Sequence, residues 1–121
     1  MTISTVAVIG LGNMGGPMAI NLAKAGLETR GFDVSDQARM AVAEAGVSTF
    51  DSAAEAAQGA EAVITMLPNG ALVKKVIGEL VEADSTAKLY IDSSTISVQD
   101  AREVGELIQE RGSLFVDAPV S

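Results

Sequence analysis

Short apolar, β-rich runs alternate along this chain with stretches whose apolar residues recur at helical spacing. That alternation predicts a parallel sheet covered by helices on both faces. Strands are expected at 5–9, 28–32, 47–49, 62–67, 89–91 and 114–116. A first helix is expected over 14–25, with Pro17 tolerated in its first turn and Gly26 as its stop. Met14, Met18, Leu22 and Ala25 share one face of it. Ser35 is a cap candidate for a second helix that ends before Gly46, and Ser52-Ala53-Ala54-Glu55 reads as a capping box for a short third one ended by Gly59. A fourth helix is expected over 71–81, weakened by Gly78. Ser97-Val98-Gln99-Asp100 starts a fifth, with Val98, Ala101, Val104 and Ile108 on one face until Gly112.

Six strands joined by crossover helices predict an α/β fold, a doubly wound parallel six-stranded Rossmann sheet in the order 3-2-1-4-5-6, as one domain over residues 1–121. Ligands of such sheets sit at the carboxyl ends of the strands. The expected site loops are therefore Gly10 to Gly15, Asp33-Val34, Leu67-Pro68-Asn69-Gly70, Asp92-Ser93-Ser94-Thr95 and Asp117-Ala118-Pro119-Val120-Ser121.

Composition narrows the chemistry. At 121 residues with four aromatic side chains, the core must be built from Val, Ile, Leu, Met and Ala, which suits helices lying close on a sheet. No run approaches the roughly 18 apolar residues of a membrane span, and no basic segment precedes the first strand, so no membrane partner and a cytoplasmic location are expected. The chain has no Cys and no His, which excludes disulfides, thiolate or imidazole catalysis and Cys/His metal sites; no metal is expected. A net charge of −8 without a basic stripe argues against nucleic acid as a partner.

Gly10-Leu11-Gly12-Asn13-Met14-Gly15 follows the first strand directly and opens a helix, the context a dinucleotide-binding turn requires. The first glycine permits the sharp turn, the second leaves room for a pyrophosphate against the backbone, and the third lets helix and strand pack closely. The helix N-terminus then presents free N–H groups and a partial positive charge to the phosphates. Asp33 falls 21 residues after Gly12 at the end of the second strand, the position of a carboxylate that binds adenosine ribose hydroxyls. Alternatively it caps the next helix, in competition with Ser35 and Asp36. A carboxylate there repels a 2′-phosphate and no Arg follows before Arg39, so NAD is favoured over NADP. Ser93, Ser94 and Thr95 either contact the nicotinamide half or only form a turn. Lys74 and Lys75 read as a solvated helix face, and Met14 as core packing whose N–H meets the pyrophosphate.

The stretch Gly10 to Ala19, with Asn21-Leu22, Lys24-Ala25-Gly26, Phe32-Asp33, Met66-Leu67-Pro68, Asp92-Ser93-Ser94-Thr95 and Asp117-Ala118-Pro119-Val120-Ser121, resembles the β-hydroxyacid dehydrogenase family along the whole chain. The resemblance implies that Gly10, Leu11, Gly12, Asn13, Met14, Gly15, Asp33, Leu67, Pro68 and Thr95 bind NAD, and that Ser121 belongs to the loop holding the substrate carboxylate. In the family that loop continues with two glycines. A catalytic lysine and a neighbouring asparagine follow in a helical domain that also forms much of the substrate pocket and the dimer interface. On this resemblance the 121 residues are the cofactor domain and hold no catalytic residue. The resemblance also implies that the complete enzyme is a homo-oligomer that oxidises a short 3-hydroxy acid of the 3-hydroxyisobutyrate type, with threonate and tartronate semialdehyde also open. One departure is Gly31, a glycine inside the second strand.

Two other classes fit parts of the pattern. One is a non-catalytic dinucleotide-binding module. The other is an S-adenosylmethionine-dependent methyltransferase, which also pairs a glycine loop with an acidic residue after the second strand but is disfavoured by the Pro68 loop and the closing motif.

Overall fold

The computed structural model describes residues 3–83 and 87–119. Its elements run β1 (Thr5–Ile9), α1 (Gly15–Lys24), β2 (Glu28–Phe32), α2 (Asp36–Ala43), β3 (Ser48–Thr49), α3 (Ala53–Ala57), β4 (Ala62–Thr65), α4 (Gly70–Glu82), β5 (Leu89–Asp92), α5 (Val98–Gln109) and β6 (Leu114–Asp117). All strands pair in parallel, in the order β3-β2-β1-β4-β5-β6. The doubly wound order expected from the sequence is the observed one.

Side-chain alternation along β1 divides the core. Val6 and Val8 point to the layer of α1 and α2, where they meet Ala19, Val42 and Val47. Ala7 and Ile9 point to the layer of α3, α4 and α5, where they join Ala56, Val73, Ile77, Leu80, Val104 and Ile108. Val8, Ile9 and Val63 are at most 1% exposed, so each contributes roughly 1.5–3 kcal/mol by leaving water. β3 and β6 are the edge strands, and β6 leaves Leu114 and Val116 exposed.

Four local expectations change. α1 does not bury Met14, Met18, Leu22 and Ala25 together; its buried residues are Gly15, Gly16 and Ala19, and Met14 is 50% exposed. The helix sits so close to the sheet that only its smallest residues fit beneath it, and the larger side chains are displaced to its flanks. Val98, expected on the buried face of α5, is 71% exposed, because it lies in the first turn beyond the strand ends; Val104, Gly105 and Ile108 make the contact. β4 stops at Thr65 rather than running to 67, since the Leu67 N–H turns to a serine side chain instead of the ladder. Val47 precedes β3, its N–H donating to Val42 O as the chain leaves α2. Among the described residues, no helix is long and apolar enough to cross a membrane.

Candidate functional site

β1 ends at Ile9 and the chain turns at once. Gly10 has φ of +104°, a left-handed conformation costly to residues bearing a Cβ, and its N–H donates to Phe32 O at 2.9 Å. A Cβ on Gly10 would collide with the Met66 carbonyl, and one on Gly15 with the Gly10 carbonyl. Both glycines are thus required by the protein itself. Gly12 is different: apart from its own chain neighbours, nothing lies within 4 Å of where its Cβ would stand. The space above it belongs to a cavity of about 560 Å³ whose walls include Gly10, Gly12, Asn13, Met14 and Gly15.

The amino end of α1 opens on the same cavity. α2, α3, α4 and α5 are each capped by a side chain, respectively Ser35, Ser52, Asn69 and Ser97. α1 has Met14 at the cap position, no side-chain cap and no acidic residue in its first turn. Its leading N–H groups and positive dipole end are therefore available to an anion.

Asp33 closes one wall of this cavity and braces the turn. Its Oδ2 accepts from the Leu11 N–H and its Oδ1 from the Ser35 N–H, both at 2.8 Å. Ser35, not Asp33, caps α2, its Oγ accepting from the Ala38 N–H. Each Asp33 oxygen uses one acceptor site, which leaves capacity for hydroxyl donors. Arg39 curls back from α2 to donate to Asp33 O at 2.9 Å, pairs with Asp36, and lies over the Phe32 ring at 5.9 Å.

Of the residues singled out from the sequence, Gly10, Gly12, Asn13, Met14, Gly15, Asp33, Leu67 and Pro68 come together around the cavity. Leu11 does not line it: its side chain is 3% exposed in the core and its N–H is taken by Asp33. The Leu11 methyls lie 3.2 Å from where a Cβ on Gly31 would be, which explains a glycine inside β2. Thr95 is exposed after β5 and is not part of the cavity wall. Ser121 lies outside the described residues. Met14 is a half-exposed cavity residue rather than core packing.

Sequence reasoning missed the far wall. Asp51 and Ser52 before α3 line it, as do Leu72, Lys75, Val76 and Glu79 of α4. The reading of Lys75 as merely solvated surface is corrected, whereas its neighbour Lys74 points to α5 and pairs with Asp100 at 3.0 Å and Glu103 at 2.9 Å. The hydrogen bonds that Lys74 donates to these carboxylates raise its pKa and lower both of theirs. A signal was present in the spacing 72, 75, 76 and 79, which marks a second α4 face beside the buried Val73, Ile77 and Leu80.

The model of the NAD binding domain of 6-phosphogluconate dehydrogenase matches residues 5–121. A probable 3-hydroxyisobutyrate dehydrogenase of Mycobacterium bovis is 51% identical over 118 residues, covering 98% of this chain and 40% of the relative. The 3-hydroxyisobutyrate dehydrogenase of Pseudomonas aeruginosa is 44% identical over 119 residues, with 96% and 40% covered. The solved structure of the Mycobacterium tuberculosis 3-hydroxyisobutyrate dehydrogenase with L-serine superposes with a TM-score of 0.94 at 50% identity, over 99% of this chain and 41% of that one. The chain thus spans about two-fifths of the length of the relatives it matches.

Proposed function

This chain belongs to the family of the NAD binding domain of 6-phosphogluconate dehydrogenase, and from that premise we propose that it binds NAD(H) in preference to NADP(H), as the cofactor half of a dehydrogenase for a short 3-hydroxy acid of the 3-hydroxyisobutyrate type. The observation that carries the reading is the bare space over Gly12 at the uncapped end of α1. No packing constraint asks for glycine there, and a pyrophosphate lying against the backbone does.

In this reading the N–H groups at the head of α1 hold the pyrophosphate, and Asp33 accepts from the adenosine ribose hydroxyls with an orientation preset by Leu11 and Ser35. A carboxylate pinned by two backbone N–H groups cannot swing away from a 2′-phosphate, which disfavours NADP. Val34, Leu72 and Val76 offer an apolar slot for the adenine, with Lys75 and Glu79 at its rim. When bound, NAD⁺ supplies the carbon that accepts hydride. Gly10, Leu67 and Pro68 position it from the β1 and β4 ends. The proton of the substrate alcohol needs a base within hydrogen-bond reach. The chain offers no histidine, Lys74 is engaged away from the cavity and Lys75 stands at the adenine rim, so the reading assigns that proton, the substrate pocket and the contacts of a homo-oligomer to the part of such enzymes beyond the two-fifths that this chain matches.

Isothermal titration of the chain with NAD⁺, NADP⁺ and S-adenosylmethionine tests the reading. It predicts binding of NAD⁺, weaker binding of NADP⁺ and none of S-adenosylmethionine. Equal affinity for the two dinucleotides would contradict the role given to Asp33, and binding of S-adenosylmethionine alone would contradict the whole assignment.

A further inference from the structure

Thr65, Asp92 and Ser94 form a buried polar cluster outside the cavity wall, at the carboxyl ends of β4 and β5. Thr65 and Asp92 stand opposite each other in the β4–β5 register. The Thr65 hydroxyl donates to Asp92 Oδ1 at 2.8 Å, and the Ser94 N–H donates to the same oxygen at 3.2 Å. Ser94 Oγ in turn accepts from the Leu67 N–H at 2.7 Å and lies 3.5 Å from Thr65 O. Thr65, Asp92 and Ser94 are each at most 1% exposed, and Asp92 Oδ2 has no hydrogen-bond partner. Burying an acceptor without a partner is unfavourable, and apolar residues of similar volume would hold two strands together as well or better. What apolar residues would not do is fix the N–H of Leu67, a residue on the cavity wall.

The strand order says which part of the ligand this link addresses. Asp33 follows β2, on one side of the β1–β4 crevice, whereas Asp92 ends β5 and Ser94 follows it, on the other side. A dinucleotide anchored by its adenosine at Asp33 crosses that crevice and lays its other half over the β4 and β5 ends. We propose that Asp92 and Ser94 are positioning residues for the nicotinamide half: Asp92 fixes Ser94, and Ser94 Oγ fixes the backbone of Leu67 against which that half rests. The inference depends on the dinucleotide reading above.

Its test compares NAD⁺ with ADP-ribose, which has the adenosine and pyrophosphate but lacks the nicotinamide. Both are titrated into the chain, Ser94→Ala and Thr65→Val, with Tm measured alongside. Ser94→Ala removes the acceptor for Leu67, and the isosteric Thr65→Val removes a donor to Asp92; the latter carries the same test if the former does not fold. The inference predicts that NAD⁺ affinity falls about tenfold, the loss of one hydrogen bond to a positioned group, while ADP-ribose affinity holds. Equal loss for both ligands, or loss for neither, overturns it and leaves the dinucleotide reading standing. Failure of the unsubstituted chain to bind either ligand overturns both.

Discussion

The backbone N–H of Leu11 and the carboxylate of Asp33 meet at 2.8 Å although 22 positions separate them. The bond joins the turn after β1 to the end of β2, so the acidic residue has two tasks: it holds the glycine turn in shape and it faces the cavity. Asp33→Ala should therefore do more than remove a ligand contact. NAD⁺ affinity is expected to fall tenfold to a hundredfold, as for a charge-assisted hydrogen bond of about 1.5–3 kcal/mol, and the urea midpoint should fall as well. Asp33→Asn keeps an acceptor for Leu11 but loses the charge, so it should narrow the gap between NAD⁺ and NADP⁺ with less loss of stability. Titration and urea unfolding of the two variants separate the tasks.

Two glycines of the turn should respond differently. Gly15→Ala drives a methyl into the Gly10 carbonyl and should lower Tm sharply. Gly12→Val meets nothing but its own chain neighbours at its Cβ and should leave Tm nearly unchanged while NAD⁺ binding is lost. Thermal scans paired with NAD⁺ titration check both, and a Gly12→Val chain that binds normally would place the pyrophosphate elsewhere.

Gly31 tests a packing claim apart from the site. A Cβ there would stand 3.2 Å from both Leu11 methyls and 3.3 Å from a Val47 methyl. Gly31→Val should destabilise the fold by about 1–3 kcal/mol through overpacking, and pairing it with Leu11→Ala should recover part of that loss. A double-mutant cycle in urea measures the coupling.

Lys74, Asp100 and Glu103 give the α4–α5 contact a pH dependence with two limits. The hydrogen bonds to Glu103 and Asp100 raise the Lys74 pKa, so its contribution is complete below the ordinary lysine value and is lost as pH rises through the raised one. Those to Lys74 lower the Asp100 and Glu103 pKa values, so their contribution is complete above the ordinary carboxylate range and is lost as pH falls through the lowered ones. Glu61, which accepts from the Ser4 N–H and hydroxyl and from the Thr5 N–H, is also lowered and adds to the acid limb. Lys74→Met should lower Tm modestly near neutral pH, with the difference from the unsubstituted chain vanishing at strongly acidic and strongly alkaline pH. NAD⁺ affinity should not change, because Lys74 does not line the cavity.

Much of this was legible in the sequence because the signals are local. Serines at 35, 52 and 97 cap the helices they were expected to cap, and Gly26 stops α1 with a φ of +98°. The glycine turn was legible because it follows the apolar run of β1 directly, and Asp33 because it falls 21 residues after Gly12, the spacing such a turn requires of its acidic partner. What was not legible depends on contacts between distant segments. The buried face of α1 follows from how closely the helix approaches β1, which glycine content suggests but periodicity does not. Lys75 looked like its neighbour Lys74 because a helix turns 100° per residue, and only the position of α3 and β4 decides which lysine meets the cavity. The role of Leu11 in filling the space over Gly31 required the fold itself.

The central claim is that a dinucleotide lies with its pyrophosphate over Gly12 at the head of α1. Backbone amide NMR of the labelled chain during NAD⁺ titration tests it most directly. The account predicts saturable shifts at the amides of Gly12, Asn13, Met14 and Gly15, with the capped end of α5 at Asp100, away from the cavity, much less affected. Saturable binding that leaves the four turn amides unmoved, or no binding at all, would contradict it.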